Sequence, residues 1–395
     1  MAAARTAQIG GRHARAALIA ASLAVGLSAC IQANPELPPP ASPSLTREQL
    51  ARLIFLRGPT DSGNVLSDRT QSILRHIAYL ESLPFDGMVV DIPGGMQTMA
   101  GQPLDYELYF AGFLRPLRTA FRKFNHNFVR VQNHDPGDLF DDAAWTVTVE
   151  NWGKLARATR DAGFVGIFFD DEEYWDPWLN YPEDYDRPTR SLGQYRAQAR
   201  LRGRQVMEAI VAEFPDIRII FSHGPYLSEP KTPQWLTRQT VNDASYYELL
   251  GPFFVGFVEG AGERAKVIDG GELYRYRTPD DFARSYSWRK YAIAGAEVNS
   301  EFVPAALRPV WPARVGISFG VFDRSWPDPV RDMMNPSILR ATLAGAMRTA
   351  DEYVWFYAER DEWLLPPGVS SEWIDAVRDA RACMHGLHES AAHIE

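Results

Sequence analysis

The sequence predicts an α/β fold, a single-domain (β/α)8 TIM barrel over residues 46–395. Three observations lead to it. Eight short apolar runs recur along the chain, and most are continuous rather than alternating, as strands buried on both faces of a parallel sheet are. The segments between the runs carry helical periodicity. A length of 350 residues suits one such barrel with insertions.

The eight runs are taken as the strands of the barrel. They are 52–56, 87–91, 128–132, 164–169, 217–221, 265–269, 314–319 and 353–357. Helical stripes are clearest in 67–83, 195–214, 336–350 and 371–388. Asn335 before Pro336 is a favourable N-cap and first helical residue.

The segment 245–262 decides the strand count. Its length and its small-residue ending favour a helix, despite Pro252. A strand at this place would instead favour an open doubly wound sheet.

Residues 1–29 are predicted to be a lipoprotein signal peptide. Three arginines precede the apolar stretch 16–26, and "LSAC" places small residues before Cys30. This ending resembles the lipobox of bacterial lipoproteins, which implies a lipidated Cys30; an ordinary cleaved signal is the alternative. The Pro-rich segment 30–45 is typical of a semi-rigid tether. We therefore expect a lipid-anchored protein of the bacterial cell envelope, on the periplasmic face or in the outer membrane.

The charge of the chain limits its partners. Without residues 1–29, 38 basic residues stand against 50 acidic ones, a formal charge of −12. A protein with this negative charge is repelled by nucleic acids and by anionic lipid headgroups, so neither is expected to bind it. We expect no nucleic-acid partner, contact with the membrane only through the N-terminal lipid, and a monomer.

Polar residues follow nearly every predicted strand, and in such barrels chemistry lies at these carboxyl ends. Taken singly, each could simply begin a polar loop. As a set they predict an acidic funnel. The candidates at the strand ends are Asp91, Asn133, His134, Asp170, Asp171, Glu172, His223, Asp269, Glu272, Asp323 and Glu359.

The segment "GFVGIFFDDEEYWDPW" (163–178) carries the strongest signal, because four acids follow a buried strand. Side chains alternate along a strand, so Phe168, Asp170 and Glu172 share one side. If Phe168 points into the barrel, both acids stand over its mouth, while Asp171 and Glu173 face solvated loops. Crowded carboxylates over an apolar floor should have separated pKa values, as glycosidic cleavage requires.

A second wall is predicted from "VIDGGELY" (267–274). Asp269 ends the sixth strand, and two glycines permit a tight turn that returns Glu272 toward the mouth. A plain loop that caps the next helix is the alternative.

Aromatic residues crowd the same loops, where flat rings suit the apolar faces of sugars. Packing within the loops is expected for about half of them. They are Tyr174, Trp175, Trp178, Tyr181, Tyr185, Trp326, Trp355 and Trp363. By contrast, Phe253, Phe254 and Phe257 are predicted to be core residues of a helix.

The strand-four motif "GIFFDDE" (166–172) resembles the Gly-Ile-Asp-Ile-Asp-Trp-Glu signature of the chitinase family of glycoside hydrolases. Asp170 and Glu172 fall on matching positions, and Phe168 stands where that family has its first acid. Acids after strands four and six are similar to the alpha-galactosidase-like arrangement, which implies a strand-four nucleophile. The chain also resembles uncharacterised secreted bacterial barrel proteins with "FFD-x-E" and "DGGE" segments.

Other chemistries lack a local signal in the sequence. It contains no His-x-His, no His-Glu-x-x-His, no Gly-x-Ser-x-Gly and no phosphate-binding loop. We expect no cofactor and no bound metal, although the acids could hold Ca²⁺ or Mg²⁺. "FLRGP" (55–59) is similar to a phosphodiesterase segment, but Leu56 stands where that family has its histidine.

These patterns predict a glycoside hydrolase that acts on an envelope or extracellular polysaccharide or oligosaccharide. Asp170 and Glu172 would be nucleophile or electrostatic support, and Glu272 the general acid/base. The predicted substrate-binding residues are Asp91, Asn133, His134, Asp171, Tyr174, Trp175, His223, Asp269, Asp323 and Glu359. A non-catalytic glycan-binding lipoprotein and a divalent-metal phosphodiesterase are the alternatives.

Overall fold

The computed structural model describes most of the chain after residue 50. The described residues are 51–57, 67–173, 177–181, 190–237, 247–325, 328, 330, 333–358, 363 and 368–392. They all fall within one compact unit. The signal peptide, the tether, Cys30, Tyr174, Trp175 and Glu359 lie outside the described residues.

Every strand in the described part of the chain pairs in parallel with its neighbours. The strands are β1 (Arg52–Arg57), β2 (Gly87–Asp91), β3 (Phe128–Gln132), β4 (Gly166–Asp170), β5 (Arg218–Phe221), β6 (Lys266–Asp269), β7 (Val315–Ile317), β8 (Gly320–Phe322) and β9 (Tyr353–Ala358). Their order in the sheet is β7-β6-β5-β4-β3-β2-β1-β9-β8.

The two ends of this order belong to one run of chain, so the sheet closes into a barrel. β7 pairs with β6 and β8 pairs with β9. The residues between the two halves complete the ring, since Gly320 N–H donates to Gly271 O (3.1 Å) and Trp355 N–H donates to Phe319 O (3.1 Å). The predicted eight-stranded barrel is confirmed. The predicted strand 314–319 differs, because β7 ends at Ile317 and a separate strand, β8, begins at Gly320, after the predicted range.

Helices follow the strands and cover the outside of the barrel. They are α1 (Ser67–Leu80), α2 (Gly94–Gln97), α3 (Gly112–Ala120), α4 (Asp142–Asp161), α5 (Leu192–Glu213), α6 (Gln234–Thr237), α7 (Leu250–Gly260), α8 (Pro279–Lys290), α9 (Trp311–Arg314), α10 (Pro336–Thr349) and α11 (Ser371–Ala392). Within the described part of the chain, no helix has both the length and the apolar character that a membrane span needs.

The uncertain segment 245–262 contains the helix α7, as the sequence favoured. Pro252 lies in its first turn, where backbone N–H groups have no partner within a helix, so the ring costs no hydrogen bond. Phe253, Phe254 and Phe257 are fully buried and confirm the prediction of a core helix. The Asn335 cap of α10 is also confirmed, because its side chain accepts from Ile338 N–H at 3.0 Å.

The barrel interior is packed with side chains and forms a floor beneath the mouth. Alternate residues of the strands point inward and contact one another, whereas their neighbours pack against the helices. The interior cluster contains Ile54, Leu56, Val89, Phe128, Phe168, Ile220, Ile268, Tyr274, Phe322, Tyr353 and Trp355. Phe168 therefore points inward as predicted, and its ring lies 5.3 Å from that of Trp355.

Candidate active site at the mouth of the barrel

Asp170 lies at the end of β4 in an ion pair with Arg130 of β3. Arg130 Nε donates to Asp170 Oδ2 at 3.1 Å, Arg130 Nη2 donates to the same oxygen, and Arg130 Nη1 lies 3.7 Å from Asp91 Oδ1. Burial by itself would lower the pKa of Arg130, but Asp170 and Asp91 raise it. Arg130 therefore stays a cation and holds both carboxylates at this wall of the mouth.

Asp171 and His223 form a second, fully enclosed pair. His223 Nδ1 lies 2.6 Å from Asp171 Oδ1, and the Ser222 hydroxyl donates to the same oxygen at 2.8 Å. The His223 backbone N–H lies 3.2 Å from Asp171 Oδ2. Neither side chain is exposed. The expectation of a solvated Asp171 is wrong, because the turn after β5 covers it with donors.

Glu272 stands at the other side of His223. His223 Nε2 lies 3.8 Å from Glu272 Oε2, and the Glu272 backbone N–H donates to Ser222 O at 3.0 Å. The predicted tight turn brings it there, with Gly271 at φ +59°. The side chain is 13% exposed, so the carboxyl is almost enclosed but reaches the surface of the mouth.

The three groups influence one another's ionisation. Burial alone would lower the pKa of His223, but the charge and hydrogen bond of Asp171 and the charge of Glu272 raise it to about 10. Burial raises the pKa of Glu272 to about 7, assisted by Asp170 and Asp171 and opposed by His223 and a hydrogen bond with Tyr274. Near neutral pH, Glu272 can therefore both give and take a proton.

Asp269 at the end of β6 is held by Arg289 of α8. Arg289 Nε donates to Asp269 Oδ2 at 3.0 Å, and Nη2 donates to Oδ1 and, at 2.8 Å, to the backbone oxygen of Asp269. Gly224 leaves room for this carboxylate, since a Cβ there would lie 2.1 Å from Asp269 Cγ. Both charged side chains are buried. The pair thus anchors the turn that carries Glu272.

An aromatic wall, formed by Tyr274 after β6, Phe322 of β8 and Tyr357 of β9, lies beside the acids. Tyr274 and Tyr357 are stacked with their ring centroids 6.0 Å apart, and Phe322 lies 5.1 Å from each of them. Burial raises the pKa of Tyr274, and the charges of Glu272 and Glu172 raise it further. The charges of Glu172 and Glu272 thus act on the same phenol.

The remaining predicted residues have varied surroundings. Asn133 accepts from the Trp178 indole at 2.7 Å, and its backbone N–H donates to Asp170 O at 2.7 Å. Asp323 is buried and accepts from the Trp363 indole at 3.1 Å. His134 is partly exposed. Trp178, Trp355 and Trp363 are buried, so for these three the alternative of packing within the protein holds.

Sequence reasoning missed Arg130, Arg289 and Tyr274. Arg130 had a usable signal, because an arginine in the middle of the apolar run "FVRVQ" requires a buried carboxylate partner. Arg289 had none, since α8 must first pack on the barrel before its side chain can reach Asp269. Tyr274 lies two residues after Glu272, within the quoted motif.

The acids of the mouth do not gather into a metal centre among the described residues. No group of three or more His, Cys, Asp or Glu side chains there is arranged to hold a metal ion. Asp170 and Asp269 each contact an arginine instead.

No protein-family model and no curated protein sequence matches the chain. Solved structures to which it is similar include a GH18 chitinase from Pseudoalteromonas aurantia, at 12% identity over 84% of this chain and 100% of that chain, with a TM-score of 0.41. A 3-keto-D-glucoside 4-epimerase from E. coli has 13% identity over 84% and 99%, with a TM-score of 0.43. A glycoside hydrolase family 5 enzyme from Prevotella bryantii, in complex with a xyloglucan tetradecasaccharide, has 11% identity over 83% and 95%, with a TM-score of 0.41. Similarity this low assigns no function to the chain, and its fold follows from its own strand order.

Proposed function

We propose that this protein is a glycoside hydrolase that cleaves an envelope or extracellular polysaccharide or oligosaccharide. The observation that carries the proposal is Glu272, an almost enclosed carboxyl at the barrel mouth whose pKa is raised to about 7. Glycosidic cleavage needs one protonated carboxylic acid close to one ionised carboxylate at the same pH. Glu272 suits the first role.

In the proposed reaction, Glu272 donates its proton to the glycosidic oxygen as the bond to the anomeric carbon breaks. It then takes a proton from the water that replaces the leaving group. The second carboxylate comes from β4. Both oxygens of Asp170 have partners, Oδ2 with Arg130 and Oδ1 with the Glu172 backbone N–H at 3.4 Å. Glu172 is more exposed, so we assign it the direct contact with the sugar and Asp170 the electrostatic support.

The aromatic wall of Tyr274, Tyr357 and Phe322 supports a carbohydrate as the ligand through Tyr357, its partly exposed ring, whereas Tyr274 and Phe322 are buried beneath it. An exposed ring near carboxylates offers an apolar face and hydrogen-bond acceptors together, as the two sides of a pyranose ring require. Asp91 and His134 remain candidates for hydroxyl contacts at the ends of β2 and β3. For Asn133, Asp171, His223, Asp269 and Asp323, burial favours contacts within the protein.

We further propose that the protein is lipid-anchored in the bacterial cell envelope through Cys30. The support is the sequence around residues 16–30. Metabolic labelling with a fatty-acid analogue, compared between the wild type and Cys30→Ala, tests this directly. Label in both proteins would contradict it.

The decisive test of the function is product release from a panel of bacterial and plant polysaccharides. Wild type and Glu272→Gln are compared, with Glu107→Gln as the matched control, because Glu107 is exposed and pairs with Arg115. Release by the wild type and by Glu107→Gln, but not by Glu272→Gln, would support the proposal. Equal release by all three would contradict the role of Glu272.

A glycan-binding protein without hydrolysis is the second candidate. It is favoured by the arginine pairs, because Asp170 and Asp269 are buried in contacts that leave neither free to react. Retention of wild type and Glu272→Gln on an immobilised glycan, with no product from either, would establish this candidate instead.

A further inference from the structure

We propose that Asp171 and His223 form a buried dyad that holds a positive charge against Glu272 and so controls the charge of its carboxyl. His223 is then a positioning residue and not a ligand of the sugar. The kinetic consequence rests on the proposed function, whereas the charge state of the dyad does not.

The first step is the orientation of the imidazole. Asp171 Oδ1 accepts from His223 Nδ1 at 2.6 Å and from the Ser222 hydroxyl at 2.8 Å. With Nδ1 engaged there, the ring can only direct Nε2 away from Asp171. Nε2 has no hydrogen-bond partner among the described residues and lies 3.8 Å from Glu272 Oε2.

The second step is burial. The side chains of Asp171 and His223 have no exposed surface, so neither can contact a sugar in the mouth or exchange protons directly with solvent. Their effect on the reaction must pass through Glu272, which is the partly exposed member of the three. In such surroundings the interaction between two charges is weakly screened.

The third step is the charge balance around Glu272 and His223. Asp170 and Asp171, both from the end of β4, disfavour ionised Glu272, while His223 and a hydrogen bond with Tyr274 favour it. Three acids favour the cationic form of His223, namely Asp171, Glu272 and Glu172. The Tyr247 ring also lies next to His223, with its centroid 6.0 Å from that of the imidazole. Arg130 and Arg289, the nearby arginines, are paired with Asp170 and Asp269.

The direction of the effect follows from these signs. An imidazolium next to Glu272 favours its carboxylate, and this effect exceeds the opposing effect of Asp171, so His223 lowers the pKa of Glu272 below the value that burial alone would produce. If Glu272 must be protonated to act as the general acid, kcat/KM falls at the pH where it ionises. Removal of the His223 charge should therefore move this fall to higher pH, and it should still do so when the smaller, opposing charge of Asp171 is removed with it.

The first experiment measures the charge of His223 without any need for activity. Protein labelled with 15N-histidine is titrated by NMR, and His223→Gln assigns the signal among the eight histidines. We expect both ring nitrogens of His223 to carry protons at pH 7.5 in the wild type and a neutral ring at that pH in Asp171→Asn. A neutral ring in the wild type at pH 7.5 would overturn the proposal.

Coupling to Glu272 is tested in the same way with Glu272→Gln, which leaves both members of the dyad in place. Because coupling between two sites is reciprocal, His223 should lose its proton at lower pH in Glu272→Gln than in the wild type. An unchanged titration would overturn the proposed control of Glu272, whatever the activity of the protein.

The kinetic experiment uses the double variant Asp171→Asn/His223→Gln, which replaces both charges by neutral groups of similar shape. With the polysaccharide that the wild type cleaves, we expect the basic fall of kcat/KM to move upward by about one pH unit. A lower kcat at an unchanged pH dependence would indicate a merely structural dyad and overturn the inference. If the wild type cleaves nothing, the proposed function fails, and the two NMR titrations still decide the dyad.

Discussion

Arg130 lies on β3 and Asp170 on the adjacent β4, and their ion pair closes one side of the barrel mouth directly above the rings of Phe128 and Phe168. In the register of the two strands, Arg130 is opposite Phe168 and Gln132 is opposite Asp170. The guanidinium of Arg130 therefore extends from the level of Phe168 to that of Asp170, two residues farther along β4. The pair is buried, so each charge needs the opposite charge of its partner to offset the cost of its removal from water.

Removal of one partner of this pair should destabilise the protein. Asp170→Asn leaves a buried guanidinium with Asp91, at 3.7 Å, as its remaining carboxylate partner among the described residues, and we expect a loss of roughly 3 kcal/mol in the free energy of unfolding. Urea unfolding measures it. The double variant Arg130→Met/Asp170→Asn should recover much of this stability but none of the activity. If the double variant is less stable than Asp170→Asn, the buried cation is not the cause.

Glu172 should be needed for turnover and not for stability. It is partly exposed at the mouth, so Glu172→Gln should reduce kcat about 100-fold or more while the unfolding midpoint stays within the error of the wild type. Steady-state kinetics and urea unfolding are measured together. Glu107→Gln is the control for the substitution itself. Activity of Glu172→Gln within a few-fold of the control would assign the second carboxylate to Asp170.

Substitution by alanine should be more harmful at Gly271 than at Gly262, a glycine with a similar backbone conformation. A Cβ at Gly271 would lie 2.4 Å from Arg289 Nη1, whereas Gly262, at φ +65°, has nothing within 4 Å of such a Cβ. Both substitutions cost the left-handed strain of roughly 1 kcal/mol, but only Gly271→Ala also disturbs the arginine under the Glu272 turn. We expect a larger loss of stability and of kcat in Gly271→Ala. Equal losses in the two variants would exclude the arginine contact as a cause.

Stability should decrease as pH rises above the acidic range. Burial raises the pKa of Glu173 from 4.5 to about 8, with Asp171, Glu248 and Asp135 as further causes, and that of Glu272 to about 7. Between pH 4.5 and 8 the folded protein thus holds protons that the unfolded chain has released, and the free energy of unfolding falls. Urea unfolding at pH 5, 7 and 9 measures the slope.

Glu173→Gln isolates one part of this pH dependence. The amide oxygen can still accept from Leu179 N–H, which donates to Glu173 Oε1 at 2.5 Å, but the group no longer titrates. The variant should therefore show a shallower loss of stability between pH 5 and 9, while Glu107→Gln should retain the slope of the wild type. Parallel curves for the wild type and Glu173→Gln would refute the raised pKa.

Local patterns in the sequence account for the barrel and for part of the site. Continuous apolar runs separated by helical stripes predicted the strands and α7. A strand buried on both faces needs consecutive apolar residues, and a helix buried on one face needs apolar residues with a period of 3.6, so both patterns can be read from neighbouring residues. The two-residue period of β4 placed Phe168 and Asp170 on the inner side. The double glycine predicted the turn that returns Glu272 to the mouth, where Gly271 adopts a positive φ.

Tertiary structure decided which of the acids are exposed and what each one contacts. The sequence shows four similar acids from Asp170 to Glu173, yet the first pairs with Arg130, the second is enclosed against His223, and the last two are partly exposed. The first two contact partners that are 40 and 52 residues away in the chain. These residues come into contact only when neighbouring strands pair and the barrel closes. The periodicity of the local sequence does not indicate which charged side chains will then be in contact.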